Sequence, residues 1–318
     1  MAATEKGIAF YWALLKESVN DFIENDVFTL AAALSYYTVF SLPPIILIII
    51  YTTTSIYSEA AVREMLFDEI GKLVGEDGAL QLSTIIDNLN LYDQTWWATA
   101  LSAGILVFTS TTVFITVQNS LNKIFHVKPK PKRGFVKLIL DRFLSFALVL
   151  GIALILLISL VVDALVNGMI DLFLSQFPGA AVLVTGVVAF LVQLGIVILL
   201  FAIIFKYLPD AKLEWRDTWI GAWVTALLFT VGKLGIGFYL GNSNTANVYD
   251  AAGSLVIIML WVFYASIIFL FGAVFTYVYA GMRNRNIEPA SYAVRVEQRE
   301  IIVQKGEDAE TDAEQAAR

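Results

Sequence analysis

The chain has 318 residues, 58% of them hydrophobic and only 15% charged, with one histidine and no cysteine. A soluble domain of this length builds its core with much less apolar content. The missing Cys excludes disulfides, thiolate chemistry and Cys-based metal sites.

Six stretches dominate, at 27–58, 95–122, 143–162, 172–205, 218–232 and 251–282, and none contains Asp, Glu, Lys, Arg or His. A bilayer core about 30 Å thick takes roughly 20 apolar residues in a helix, which the stretches meet, the fifth being cut short by Lys233. The expected fold class is therefore all-α: a polytopic membrane protein with six transmembrane helices plus interfacial amphipathic helices. No short apolar run with a small-residue cleavage site opens the chain, so no cleaved signal peptide is expected.

In chain order, 8–25 comes first. Phe10, Trp12, Leu15, Val19, Phe22 and Ile23 fall mainly on one helical face, with Lys16, Glu17, Asn20, Asp21 and Glu24 elsewhere. This reads as an interfacial amphipathic helix; the plainer alternative is a soluble cap packed on the loops. A first span is expected near 28–56, with Pro43-Pro44 near its middle. Proline removes an amide donor and clashes with the preceding turn. The segment is then either a kinked helix or a discontinuous one lining a cavity.

Residues 59–91 are too polar to span. Val62, Met65, Leu66, Ile70 and Leu73 recur at helical spacing, and Leu82, Ile85, Ile86 and Leu89 follow after Gly78. The pattern predicts an outer helical hairpin, apolar side down. Trp96-Trp97 marks the interface at the start of a second span, 96–120. Further spans are expected near 143–165, 180–206, 217–240 and 252–281, making 1–285 one membrane domain. Residues 286–318 read as a charged, disordered cytoplasmic tail.

Eighteen of the 21 Lys and Arg lie in 1–27, 123–142, 206–216 and the segment from 283 onward. On alternate loops, 59–94 has only Arg63 and Lys72 against eight acids. The basic side is expected to be cytoplasmic, giving both termini inside and a multi-pass inner-membrane location. The run Lys128-Pro-Lys130-Pro-Lys132-Arg133, with Arg142, is a stiff basic loop. It either enforces topology alone or contacts anionic lipid headgroups. It lacks interleaved aromatics, so no nucleic-acid partner is expected.

Read together, Ala32-Ala-Leu-Ser-Tyr-Tyr-Thr-Val-Phe-Ser-Leu-Pro43, Trp215-Arg-Asp217, Gly221-Ala222, Gly232-Lys233 with Tyr239, Tyr249, Gly253, Trp261, Tyr264 and Gly272-Ala273 form an ordered set. With this set the chain resembles the YihY/virulence factor BrkB family of bacterial inner-membrane proteins, formerly labelled ribonuclease BN, over roughly 8–285. The resemblance implies a six-span fold and no agreed molecular activity. Many members look as though they carry an acid directly after the Gly-Ala of the last span; here that position is Val274.

The chemistry is sparse. The lone His126 is at the end of the second span and reads as a surface residue. No two-His motif, phosphate loop or paired acids within the apolar segments appears, so no enzyme, cofactor or metal is expected. Lys233 stands roughly 12 Å from the outer end of its span, where an ionisable group costs about 2.5–3.5 kcal/mol. It either snorkels outward or lines a polar cavity with Ser35, Tyr36, Ser41, Pro43 and Pro44. Membrane lipids are the expected partners, with an anionic lipid, envelope precursor or small ion as substrate of a transporter or flippase-like protein. The competing reading is a non-transporting scaffold that supports envelope integrity.

Overall fold

The computed structural model describes residues 2–53, 58–74, 76–88, 96–130, 181–242, 253–285 and 287–297. The span expected at 143–165, together with Lys132, Arg133 and Arg142, lies outside them. Helix α1 (Ala2–Glu24) turns at Asn25-Asp26 into α2 (Val27–Thr53). Asp26 takes a left-handed φ of 54°, and its carboxylate accepts from the Thr29 hydroxyl at 3.0 Å, closing the first turn of α2. Helices α3 (Glu59–Val74), α4 (Glu76–Asn88) and α5 (Trp96–Ile124) follow. After the undescribed segment come α6 (Ala181–Tyr207), α7 (Trp215–Asn242) and α8 (Gly253–Met282).

Helix α2 runs unbroken through Pro43-Pro44, so the discontinuous-helix alternative is corrected. A proline forfeits one ladder bond, yet its fixed φ near −65° is itself helical. Pro43 is buried, as are Ile46, Leu47 and Ile50 one turn on, packed with Val62 of α3, Leu82 and Ile86 of α4, and Ile258 and Val262 of α8. Packing on several sides holds the proline turn in line. The apolar side of the α3–α4 pair is thus committed to the ends of α2 and α8. Arg63 crosses the pair, meeting Glu59 at 3.1 Å and Asp87 at 2.6 Å.

Helix α8 is the centre of the described bundle, packing against α1, α2 and α7, while α6 packs on α7 and α5 on α2. Two of these helices contain stretches long and apolar enough to cross a membrane, Phe190–Tyr207 in α6 and Leu255–Met282 in α8. The pairing of α7 with α8 is close because small residues interlock. A Cβ on Gly221 would lie 1.8 Å from the Thr276 hydroxyl, and one on Gly272 would lie 1.7 Å from that of Thr225. Each hydroxyl donates to the carbonyl four residues back, Thr225 to Gly221 and Thr276 to Gly272, at 2.7 Å. Both threonine hydroxyls are thereby satisfied within their own helices, which is how small residues bring membrane helices together. Farther along, the Tyr264 hydroxyl occupies the space a Cβ on Gly232 would need. Val274 is fully buried in this core.

Opposite the α3–α4 pair, four short strands cap the bundle. Strand β1 (Val127–Pro129) pairs antiparallel with β4 (Ala293–Arg295), and β2 (Ala211–Lys212) with β3 (Glu288–Pro289). The all-α expectation is amended by these two-stranded sheets. The expected disordered tail 286–318 is corrected for 287–297. That segment packs Ile287 on the core and finds backbone partners on two loops, which satisfies its amides.

Candidate functional site

Of the residues singled out as a membrane-depth polar cavity, the described side chains of α2 have different surroundings. Ser35 and Ser41 are buried on α2, whereas Tyr36 is 53% exposed and packs on Phe40 with ring centroids 4.9 Å apart. The Ser35 hydroxyl donates to the Met259 carbonyl of α8 at 2.8 Å. Thr112, Thr116 and Ser120 of α5 each donate to the carbonyl four residues back. These hydroxyls serve helix packing. Lys233 belongs to α7, but its side chain, like that of Pro44, lies outside the described residues. Lys128 and Lys130 are exposed on β1 and just after it, and the Lys130 amide donates to the Tyr292 carbonyl at 2.9 Å.

Among the described residues, polar chemistry gathers at the capped end, around two features. The first is Asp210, 2% exposed in the turn between α6 and β2. Its carboxylate accepts from Asn122 at 2.8 Å, Gln118 at 3.3 Å and the Tyr292 hydroxyl at 2.8 Å. Its amide donates to the Asn122 side-chain oxygen at 2.7 Å, and its carbonyl accepts from the Ala290 amide at 2.9 Å. A buried carboxylate survives only when hydrogen bonds replace its hydration. Here they do so by joining α5, the α6–α7 connection and the C-terminal segment.

The second feature is a cleft of about 250 Å³ between α1, the end of α8 and the C-terminal segment. Glu17 and Asp21, one turn apart on α1, form an acidic wall; Arg285 and Arg295 supply guanidinium groups, and Tyr277 lines the recess. Helix α1 docks through the seam Leu14, Ser18 and Phe22, not through its whole apolar stripe: Trp12, Leu15, Val19 and Ile23 remain exposed. Phe10 and Phe22 meet Tyr279 and Phe271 of α8, and the Arg283 guanidinium lies 4.9 Å from the Phe10 ring centre, a cation–π contact. That docking turns Asp21 toward the cleft.

Burial pushes the Asp21 carboxyl up to about 6, with Glu24 and Glu17 adding to the shift against a hydrogen bond from Asn25. Its Oδ2 is buried without a hydrogen-bond partner among the described residues. Across the cleft, Arg285 follows the end of α8, where Asn284 adopts a left-handed φ of 54°. Its guanidinium pairs with Asp217 at 2.5 Å and reaches Glu214 at 3.6 Å. Arg295 is carried by β4, held beside β1 by the Val296 amide donating to the His126 carbonyl at 2.8 Å.

His126, read as a surface residue, is half-buried here, its ring 5.0 Å from that of Tyr277. Burial lowers its pKa and Arg295 acts in the same direction, against the Ile124 backbone and Glu24. Among the described residues no group of three or more His, Asp or Glu is placed to hold a metal ion. The cleft can bind a small charged group by ion pairing at both walls. Nothing in the sequence marks Asp210, Asp21, Arg285 or Arg295 as a site; long-range partners distinguish Asp210 and Arg285, and the cleft they line distinguishes Asp21 and Arg295.

No solved structure matches the chain. It is 26% identical over 255 residues to a UPF0761 membrane protein of Ralstonia nicotianae, covering 79% of this chain and 55% of that protein. It is 28% identical over 279 residues to a UPF0761 membrane protein of Rhodospirillum centenum, covering 83% and 56%. The chain thus spans about half the length of the curated relatives it matches. The family model described as virulence factor BrkB matches residues 18–296, almost the whole described architecture from the α1 seam to β4, and the chain belongs to this family of helical membrane proteins.

Proposed function

We propose that the protein is a six-span protein of the bacterial inner membrane, both termini cytoplasmic, that moves a lipid or lipid-linked envelope precursor between leaflets. The observation that carries this reading is the placement of the charged cleft. It opens beside α1, whose Trp12, Leu15, Val19 and Ile23 are exposed. A polar recess flanked by an amphipathic helix suits a molecule with a charged head and apolar tails. The basic loops at 123–142 and 206–216 support a cytoplasmic position for this end.

The test is lipid movement in vesicles. Protein reconstituted with a headgroup-labelled fluorescent phospholipid is exposed to a membrane-impermeant quencher. The expected result is loss of the inner-leaflet signal at a rate that scales with protein content. A protected fraction identical to that of protein-free vesicles sinks the transport reading. The scaffold reading is favoured by a different observation, the internal satisfaction of the Ser35, Thr112, Thr116, Thr225 and Thr276 hydroxyls.

A further inference from the structure

We propose that the cleft between α1 and the C-terminal segment binds a primary ammonium joined to a phosphate, as in an ethanolamine-type phospholipid headgroup, with the ammonium on Asp21 and Glu17 and the phosphate on Arg295. This deepens the lipid-handling reading and rests on it for the cleft facing lipid. The argument is one of charge and donors. A purely anionic ligand meets the carboxylates of Glu17 and Asp21, and a purely cationic one meets the guanidinium groups of Arg285 and Arg295. Arg285 is already neutralised by Asp217 and Glu214. Arg295, on β4, meets the Tyr277 hydroxyl, a neutral group that leaves its charge to face a ligand's negative end.

Asp21 Oδ2 is a buried acceptor with no hydrogen-bond donor among the described residues. Leaving such an acceptor unmet is costly, and an ammonium N–H meets it with a charge-assisted bond. A trimethylammonium group carries the same charge but has no N–H to give. The site therefore discriminates ethanolamine from choline. At about 250 Å³ the cleft falls below the roughly 300–1,000 Å³ of sites for drug-sized ligands, a scale for a headgroup whose acyl chains stay in the membrane along α1.

The experiment is native mass spectrometry of the purified full-length chain with equimolar phosphatidylethanolamine, phosphatidylcholine and phosphatidylglycerol of identical acyl chains. We expect the ethanolamine lipid to be retained about tenfold over the other two, the effect of one charge-assisted hydrogen bond. Asp21→Asn should erase its advantage over phosphatidylcholine. Arg295→Gln, on the exposed sheet, should weaken retention of the ethanolamine lipid while keeping it ahead of phosphatidylcholine.

Equal retention of the three lipids, or preference for phosphatidylglycerol, overturns the proposal. Wild-type protein also supplies a control that needs no variant. Soluble phosphoethanolamine should displace the bound lipid and phosphocholine should not, and displacement by both alike overturns the site. An affinity for free phosphoethanolamine equal to that for the lipid assigns the site to a soluble zwitterion. Lipid movement that persists without ethanolamine preference removes this site and leaves the transport reading standing. Ethanolamine preference in a protein that moves no lipid does the reverse.

Discussion

Thr225 stands where a side chain on Gly272 would have to go: a Cβ there would lie 1.7 Å from the Thr225 hydroxyl. The relation is reciprocated by Thr276 over Gly221. In each helix the glycine and threonine are four residues apart, and in each the threonine hydroxyl returns to its own glycine's carbonyl. Two turns of α7 and α8 are thereby fixed against each other in height and rotation. This register also aligns Asp217 at the start of α7 with Arg285 just past α8. The clasp thus positions one wall of the charged cleft.

Gly272→Ala is expected to destabilise the protein by about 1–3 kcal/mol, the usual cost of overpacking a tight interface. Thermal unfolding in detergent, followed by tryptophan fluorescence, reads the change. Thr225→Ala removes the hydroxyl that clashes. The Gly272→Ala/Thr225→Ala protein should then be more stable than the sum of the single effects implies, since contacting residues couple. Strict additivity would mean that the two residues do not meet.

Asp210→Ala should free the C-terminal segment before it unfolds the bundle. The substitution strands the donors of Asn122, Gln118 and Tyr292, each bonded to a charged acceptor in the intact protein. Hydrogen bonds to charged groups contribute about 1.5–3 kcal/mol each. Limited trypsin digestion is the measurement, with cleavage expected at Arg285 and Arg295 at protease levels that leave the wild type intact. Unchanged protection of those sites would count against the hub.

The helices were readable because long uncharged runs have few alternatives, and α2, α5, α6, α7 and α8 cover five of them. The capped end was not readable, for physical reasons. Strands of two or three residues carry no periodicity, and β1 finds its partner more than 160 residues away. Asp210 follows Pro209 in a polar turn, so sequence gives it the look of a solvated loop acid. On sequence Asp21 falls off the apolar stripe of α1, which reads as solvated, yet in the structure it is turned toward the C-terminal segment and lines the cleft. Ser35 was picked out for its hydroxyl, which instead is used by the Met259 carbonyl.

Single cysteines give a clean topology test, because the chain has none of its own. Six spans with both termini inside predict that Ser83→Cys and Asn244→Cys react with an impermeant maleimide added to intact spheroplasts. Lys130→Cys, on the exposed basic loop after β1, should react only after lysis. Labelling of Lys130→Cys in intact cells would invert the bundle and move the charged cleft to the other face.

Asp21 predicts a pH dependence of stability with a definite sign. Its folded carboxyl titrates at about 6 against an ordinary value of 3.8. Between those values the folded state holds a proton that the unfolded state has released. Stability therefore falls as pH rises through this window, and the loss is complete above about 6. The groups around it act together: Glu17 and Glu24 on its own helix raise the carboxyl, Asn25 opposes them, and Tyr277, Arg285 and Arg295 face it across the cleft. Asp21→Asn removes the charge that burial opposes. The variant should be more stable than wild type at pH 8 by about 1 kcal/mol, reduced from the full shift because Asp21 keeps part of its solvent. At pH 4.5 the wild type is protonated there as well, and the advantage should shrink. Melting temperatures at the two pH values in a lipid-free detergent decide it. An advantage independent of pH would assign the gain to packing, and a variant less stable at pH 8 would show that the Asp21 charge is held by a partner.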